Sequence, residues 1–359
     1  MMSGELVTLS KSHPRFEEYL LGTFSEQQVA LPIQSLNVNT PKEQVTFKIL
    51  RANEIKAPAT WYIWLMALRP WQLGSLVFSI LIIIFSPGMD AFNNFFNLPI
   101  AAAAVLGVLC LYVSLYLRND FHDHCYGLDR LQSSGGSQVI QKGWLRAITV
   151  SRASWIFFAL GLLFGVPVVV SSPAILFLVG VLTLLGVLGL SLQNWGLKYK
   201  GGSEVLSFLL LGPLLALGLG LAVYGEWDWQ WLMIGSLLGA QALFVIFNRN
   251  LEQILGASQA QVRNVMTYLG FDRSKVLLRN WLLLLTAGFF SFHLYYSHLS
   301  VVIISTVVVL RFVYRYIRFL NQVDSCVGSG VSNLRSLSQV IQFAFLFSWF
   351  LGLVLELRG

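Results

Sequence analysis

Nine stretches of about twenty residues run through this chain almost free of charge, at roughly 64–86, 98–117, 149–170, 173–194, 204–224, 230–248, 276–296, 299–319 and 335–356. A segment that long and that apolar can satisfy its own backbone in a bilayer only as a helix: about 20 residues cross the hydrocarbon, and no water is there to pair the peptide groups. The pattern predicts an all-α, polytopic membrane protein of nine transmembrane helices. The third and fourth stretches nearly meet at Ser171-Ser172-Pro173, and the seventh and eighth at Ser297-His298, so each pair reads as a tight helical hairpin. Composition excludes the other classes. The 359 residues are 56% hydrophobic and 11% charged, against roughly 25% charged in soluble domains, and disorder would need the opposite balance.

Basic residues then set the orientation, because cytoplasmic loops near helix ends hold them in excess. With nine spans, all but one of the 24 Lys and Arg fall on one side, from Lys11 in the N-terminal segment to Arg335 before the last span; only Arg358 lies opposite. The expected topology has the N-terminus cytoplasmic and the C-terminus outside. The formal net charge of +7 is thus topological, and no nucleic-acid partner is expected. Of the acids, Asp90, Glu226, Asp228 and Glu356 lie outside and the rest inside, none near a span midpoint. An intramembrane ionisable group would suggest an ion pathway; its absence points to chemistry at the cytoplasmic membrane surface.

The loop after the second span carries that chemistry. It reads Arg118-Asn119-Asp120-Phe121-His122-Asp123-His124, then Gly127 and Asp129. If the second span continues as a helix past the membrane, Asn119 and Asp123 share a face with Asp120 beside them, and Gly127 breaks the helix before Asp129. Three carboxylates and an amide crowded together repel one another unless a cation sits among them. Hard oxygen ligands suit magnesium, which binds through one or two carboxylates plus substrate phosphates; a solvated polar cap on a helix end is the plainer alternative. His122 and His124 point to different sides of a helix, so shared ligation of a transition metal would need a loop. Cys110, Cys125 and Cys326 are too few and too scattered for a disulfide framework or a zinc site.

The run Asn-Asp-x-x-Asp-x-x-x-x-x-Asp at 119–129, followed by Gly135-Gly136 and Ile140-Gln141-x-Gly143, resembles the first aspartate-rich motif of the UbiA superfamily of membrane-embedded prenyltransferases. The nearest branch by resemblance is the 1,4-dihydroxy-2-naphthoate polyprenyltransferases of menaquinone synthesis. Leu68-Arg69-Pro70-Trp71 before the first span, and Leu197-Lys198-Tyr199-Lys200-Gly201 with Glu204 and Gly212-Pro213 around the fifth, extend the likeness, which covers about 64–356. The family's second motif, Asn-x-x-x-Asp-x-x-x-Asp, is degenerate here: Asn248 and Glu252 stand in the first two positions and Gly256 in the third.

The resemblance implies Mg2+-assisted transfer of a polyprenyl group from its diphosphate to an aromatic, quinone-precursor acceptor, in a bacterial inner membrane whose lipid surrounds the bundle. It implies Asn119, Asp120, Asp123, Asp129, Asn248 and Glu252 as the metal set, with Asp120, Asp123 and Asp129 catalytic. Arg69, Lys142, Lys198, Lys200 and Arg249 are the candidates for the diphosphate, with Tyr199 lining the pocket. Each basic residue singly also reads as a positive-inside anchor; Lys200 has the best case as a ligand because it sits in the matched Tyr-Lys-Gly stretch. Both motif loops open with Asn and continue with acids, which places them together over one central cavity open to the cytoplasmic face. The missing third acid leaves open a non-catalytic relative that binds an isoprenoid or quinone, or serves as a membrane scaffold. Residues 1–59 lie outside the resemblance as a cytoplasmic N-terminal extension with one strand-like run, 44–50, read as a small appendage or a partner-binding arm; 60–359 form the prenyltransferase-like domain.

Overall fold

The computed structural model of the protein describes residues 5–87, 97–131, 136–171, 174–191, 197–296 and 298–356. Each of the nine apolar stretches falls on helix. The first is a bent pair, α2 (Thr60–Ala67) and α3 (Pro70–Phe85), which turn by 58° at their junction. The cause is local: Arg69 is left-handed at φ 52, and Pro70 opens α3 at a position where no N–H is needed. The second stretch is α4 (Leu98–Tyr126), which runs two turns beyond the expected span and stops where Gly127 turns left-handed at φ 87. A short helix, α5 (Leu128–Leu131), follows.

Beyond it come α6 (Ala147–Val170), α7 (Ala174–Ser191) and a single turn, α8 (Leu197–Lys200). The fifth span is broken at Gly212 into α9 (Ser203–Leu211) and α10 (Pro213–Tyr224), and α11 (Trp229–Glu252) is the sixth. Two short helices, α12 (Ile254–Gln259) and α13 (Val265–Leu269), lead to α14 (Phe271–Tyr295), α15 (Leu299–Gln322) and α16 (Ser329–Glu356). Among the described residues seven helices are long and apolar enough to cross a membrane, and the bent pair makes an eighth. The remaining stretch, 173–194, is apolar helix over the 18 described residues Ala174–Ser191; 192–194 and the Ser172-Pro173 and Ser297 hairpin residues lie outside the described residues.

Close helix approach rests on small residues, as in membrane bundles where apolar side chains gain little from leaving lipid. The broken span shows it best: a Cβ on Gly212 would lie 2.4 Å from the Gly235 carbonyl oxygen and 2.7 Å from Gly239 Cα. One continuous apolar core, from Leu76 and Ile80 to Phe345 and Trp349, joins the spans.

The expectation of an all-α chain is corrected at the N-terminus. Strands β1 (Glu5–Ser10), β2 (Gln28–Leu36) and β3 (Gln44–Arg51) form an antiparallel sheet in the order β1-β3-β2, with α1 (Phe16–Leu21) packed on it. Leu9, Phe16, Val45 and Phe47 make its core. Only β3 buries alternate residues, Val45, Phe47 and Ile49, with Leu50 beside them; β2 carries Pro32, a register shift between Pro32 and Gln34, and no fully buried residue. Two of the three strands therefore lack the period-2 signal that marks a strand in sequence.

Candidate functional site

Helix α4 delivers the first group of site residues because its polar C-terminal turns continue the face that the spacing predicts. Asp120, Asp123 and Asp129 are all buried, at 2%, 0% and 3% exposure. Burial of three carboxylates is tolerable only if cations and donors meet them. Asp120 Oδ1 is paired with Arg69 Nη2, and its Oδ2 accepts from the Ser137 hydroxyl and, at 3.3 Å, from the Ser137 backbone N–H. Asp123 Oδ1 accepts from Lys198 Nζ at 2.6 Å and from the Tyr199 hydroxyl at 3.0 Å. Its Oδ2 faces Arg249 Nη2 at 3.7 Å, beyond hydrogen-bond reach. Lys198 Nζ also reaches Asn119 Oδ1 at 3.4 Å.

Asp129 is brought back by the Gly127 turn. Its carboxyl is pushed up to about 8 by burial first, and then by the charges of Asp123 and Asp120. The chain passes tightly over it, since a Cβ on Gly136 would lie 2.7 Å from Asp129 Oδ2 and 3.1 Å from Asp120 Oδ1; Gly136 has φ +62, which suits glycine. Gly135, quoted above in the motif, lies outside the described residues.

The second motif is arranged differently from the first. Asn248 is fully buried, its Nδ2 donating to the Phe244 carbonyl at 2.8 Å and its Oδ1 accepting from the Tyr316 hydroxyl at 2.6 Å. Glu252 pairs with Arg335 Nη1 at 2.8 Å. What α11 presents to Asp123 is Arg249, a cation where the first motif has acids. Two predicted diphosphate ligands are exposed rather than buried with the carboxylates: Lys142 has its ammonium over the Trp144 ring at 4.5 Å, and the Lys200 backbone bridges to Arg263. Tyr199 is buried, stacked on Tyr126 at 4.0 Å, and burial beside Asp123 holds its phenol well above the usual range. His124 donates Nε2 to the Leu20 carbonyl at 3.0 Å and takes no part in the cluster.

Motif position favours Lys200 over Lys198, whereas the contact to Asp123 is made by Lys198; Ser137, Tyr316 and Arg335, which bond Asp120, Asn248 and Glu252, are outside the expected set. Ser137 had a signal, being next to the Gly135-Gly136 pair; the other two come from helices with no motif. Glu204 ties the loops below, accepting from Asn250 Nδ2 and the Val265 N–H, each at 3.0 Å.

No three His, Cys, Asp or Glu side chains converge as a complete metal cage among the described residues. Magnesium does not need one, since it keeps waters and takes one or two carboxylates plus phosphate oxygens. The residues fit that demand: Asp123 Oδ2 and Asp129 Oδ1 are buried oxygens without a hydrogen-bond partner, and all the donors are hard. A helical membrane bundle with buried carboxylates and cations clustered at the end of α4 is the class that this fold and site define.

The chain matches no protein-family model and no curated protein sequence. Solved structures do share its fold. Digeranylgeranylglyceryl phosphate synthase is similar at a TM-score of 0.54 and 13% identity, over 82% of this chain and 98% of that one. A UbiA homologue from Archaeoglobus fulgidus bound to GPP and Mg2+ is similar at 0.55 and 16% identity, over 81% of this chain and 99% of that one. The same homologue bound to DMAPP and Mg2+ gives 0.52 and 16%, over 79% and 99%. The fold is UbiA-like and membrane-embedded over about four-fifths of the chain.

Proposed function

We propose that this chain is a membrane prenyltransferase that moves a polyprenyl group from its diphosphate to an aromatic, quinone-precursor acceptor. The observation that carries the reading is the convergence of Asp120, Asp123 and Asp129 with Arg69, Lys198 and Arg249 in one buried cluster. It is strengthened by the UbiA-like fold, seen elsewhere with GPP or DMAPP and Mg2+ bound. The Lys and Arg partition supports a cytoplasmic N-terminus and a site on that side, and the sequence resemblance, through the Leu68–Trp71 and 197–201 stretches, favours a naphthoate acceptor in a bacterial inner membrane.

Asp120, Asp123 and Asp129 would hold the magnesium, with Asn119 beside them. Bound there, it would supply Lewis-acid stabilisation of charge on the departing diphosphate. Lys198, Arg69 and Arg249 answer the same negative charge with donors already fixed in place, so little reorganisation is needed as charge develops. Burial of the carboxylates excludes water that would otherwise capture an allylic cation. Membrane-ward of them lies an apolar cavity of about 430 Å3, whose lining includes Leu115 and Tyr112, one and two turns before Asn119 on α4. Its chemistry suits an isoprenoid chain.

A second reading keeps the fold and drops the catalysis. Asn248 and Glu252 are spent on Tyr316 and Arg335, and Gly256 offers no carboxylate, so the second motif supplies no acid to the cluster; a protein that only binds an isoprenoid or quinone would tolerate that. The two readings separate on Mg2+-dependent diphosphate release from protein in lipid nanodiscs, given a polyprenyl diphosphate and 1,4-dihydroxy-2-naphthoate. Release by the wild type and none by Asp123→Asn supports the transferase. Equal background from both, across a panel of aromatic acceptors, refutes it.

A further inference from the structure

The N-terminal sheet is fastened to both loops of the site by one turn. Residues 37–43 connect β2 to β3, and Glu43 at the end of the turn is 2% exposed. Glu43 Oε1 accepts from Arg130 Nη2 at 2.7 Å, and the Arg130 side chain is itself fully buried. Arg130 also donates Nε to the His124 carbonyl at 3.0 Å, Nη2 to the Cys125 carbonyl at 3.2 Å and Nη1 to Ser35 Oγ at 3.3 Å. It thus closes the C-terminal end of α4, where carbonyls lack helical partners, immediately before Gly127, the residue that brings Asp129 back over the other acids.

On its other side the turn grips the second loop. Asn39 Nδ2 donates to the Ala260 carbonyl at 2.8 Å, across 221 residues of sequence. Val38 lies between, buried in a cluster with Leu128, Tyr199, Ala257 and Val262. The turn is itself braced: the Asn39 N–H donates to Glu43 Oε2 at 3.1 Å, and both Asn37 and Asn39 take the left-handed backbone that asparagine tolerates, at φ 52 and 61. A loose appendage would not bury an ion pair, an apolar plug and an amide bond against two separate loops.

We propose that the N-terminal domain is a built-in clasp for the site: the 37–43 turn locks the two motif loops to each other, and Arg130, gripped by Glu43, is a positioning residue for Asp129. The clasp stands without any assumption about the reaction; its service to Asp129 as a metal ligand rests on the prenyltransferase reading.

The test is hydrogen–deuterium exchange on the full chain in nanodiscs, with Asn39→Gly, Arg130→Met and Arg130→Lys. Asn39→Gly keeps the left-handed backbone and removes only the amide. Exchange in 127–131 and 257–262 is expected to quicken roughly fivefold to tenfold in Asn39→Gly, and by more than roughly tenfold in Arg130→Met, which removes all the Arg130 hydrogen bonds at the end of α4 and leaves Glu43 only Lys11 Nζ at 3.4 Å as a cation. Arg130→Lys should fall between, and the spans should not change. Wild-type exchange in both loops, or faster exchange confined to 5–51, overturns the clasp; if Arg130→Met fails to fold, Asn39→Gly alone decides. Mn2+ binding followed by electron paramagnetic resonance tests the positioning role: half-saturation should need more Mn2+ in Arg130→Met and be partly restored in Arg130→Lys. Unchanged Mn2+ binding alongside loosened loops overturns that role, whereas a wild type that binds no Mn2+ refutes the magnesium reading and leaves the exchange data to decide the clasp.

Discussion

The Arg69–Asp120 pair gives the sharpest energetic test of the site. Both side chains are nearly inaccessible, at 7% and 3% exposure, so removing one charge strands the other in a low-dielectric interior, which costs about 3–5 kcal/mol. Arg69 also lies over the Tyr116 ring at 5.1 Å, a contact worth about 0.5–2 kcal/mol. Against these stands the left-handed backbone of Arg69, φ 52, which costs a non-glycine residue about 1–2 kcal/mol. Arg69→Met is therefore expected to destabilise by about 4 kcal/mol, and Arg69→Gly by about 1 kcal/mol less, because glycine removes the strain along with the charge. Asp120→Asn in the Arg69→Met background should recover about 2 kcal/mol, since no buried charge is then unpaired while Ser137 still finds a partner. The assay is SDS-induced unfolding in mixed micelles, read by the fluorescence of the 11 tryptophans, without metal or substrate. If the two single losses add in the double variant to within about 0.5 kcal/mol, the residues do not interact, and the account of how these acids stay buried is wrong.

Three further outcomes follow from the same geometry. Lys198→Ala should reduce Mg2+-dependent diphosphate release by roughly a hundredfold, the scale of losing one fixed charge-stabilising donor, while Lys200→Ala, exposed and away from the carboxylates, should change it less than about twofold; the reverse ranking would move the diphosphate site. Because the raised carboxyl of Asp129 titrates at about 8, it holds a proton below that pH and must release it to ligate a metal. Mg2+ affinity, measured by competition with Mn2+, should rise roughly tenfold per unit up to pH 8 and level off above it, and Asp129→Asn should flatten that slope. Gly212→Ala places a methyl 2.4 Å from the Gly235 oxygen; overpacking of about 1–3 kcal/mol should appear as a lower unfolding midpoint in the same SDS titration.

What could be read from the sequence was whatever depends on neighbours along the chain. Apolar length located helix at all nine stretches, the 119/120/123 spacing put three polar side chains on one face, and Gly127 marked the end of α4, because helix periodicity and capping are set within a few residues. The described part of the fourth stretch, Ala174–Ser191, is as apolar as its neighbours and has 18 residues. The sheet was only one-third visible, since β3 alone is buried on alternate residues while the other strands gain their burial from its pairing. Tertiary structure decided everything that depends on which cation meets which acid. Sequence position favours Lys200 over Lys198, yet Lys198 is the one that reaches Asp123, while Lys200 is exposed. The partner of Asn248 Oδ1 is the hydroxyl of Tyr316, 68 residues on. Asp129 is acidic in any reading, but only the fold buries it beside Asp120 and Asp123 and raises its carboxyl. A charge in sequence is a local property; its partner, and so the free energy of keeping it buried, exists only once distant segments are packed around it.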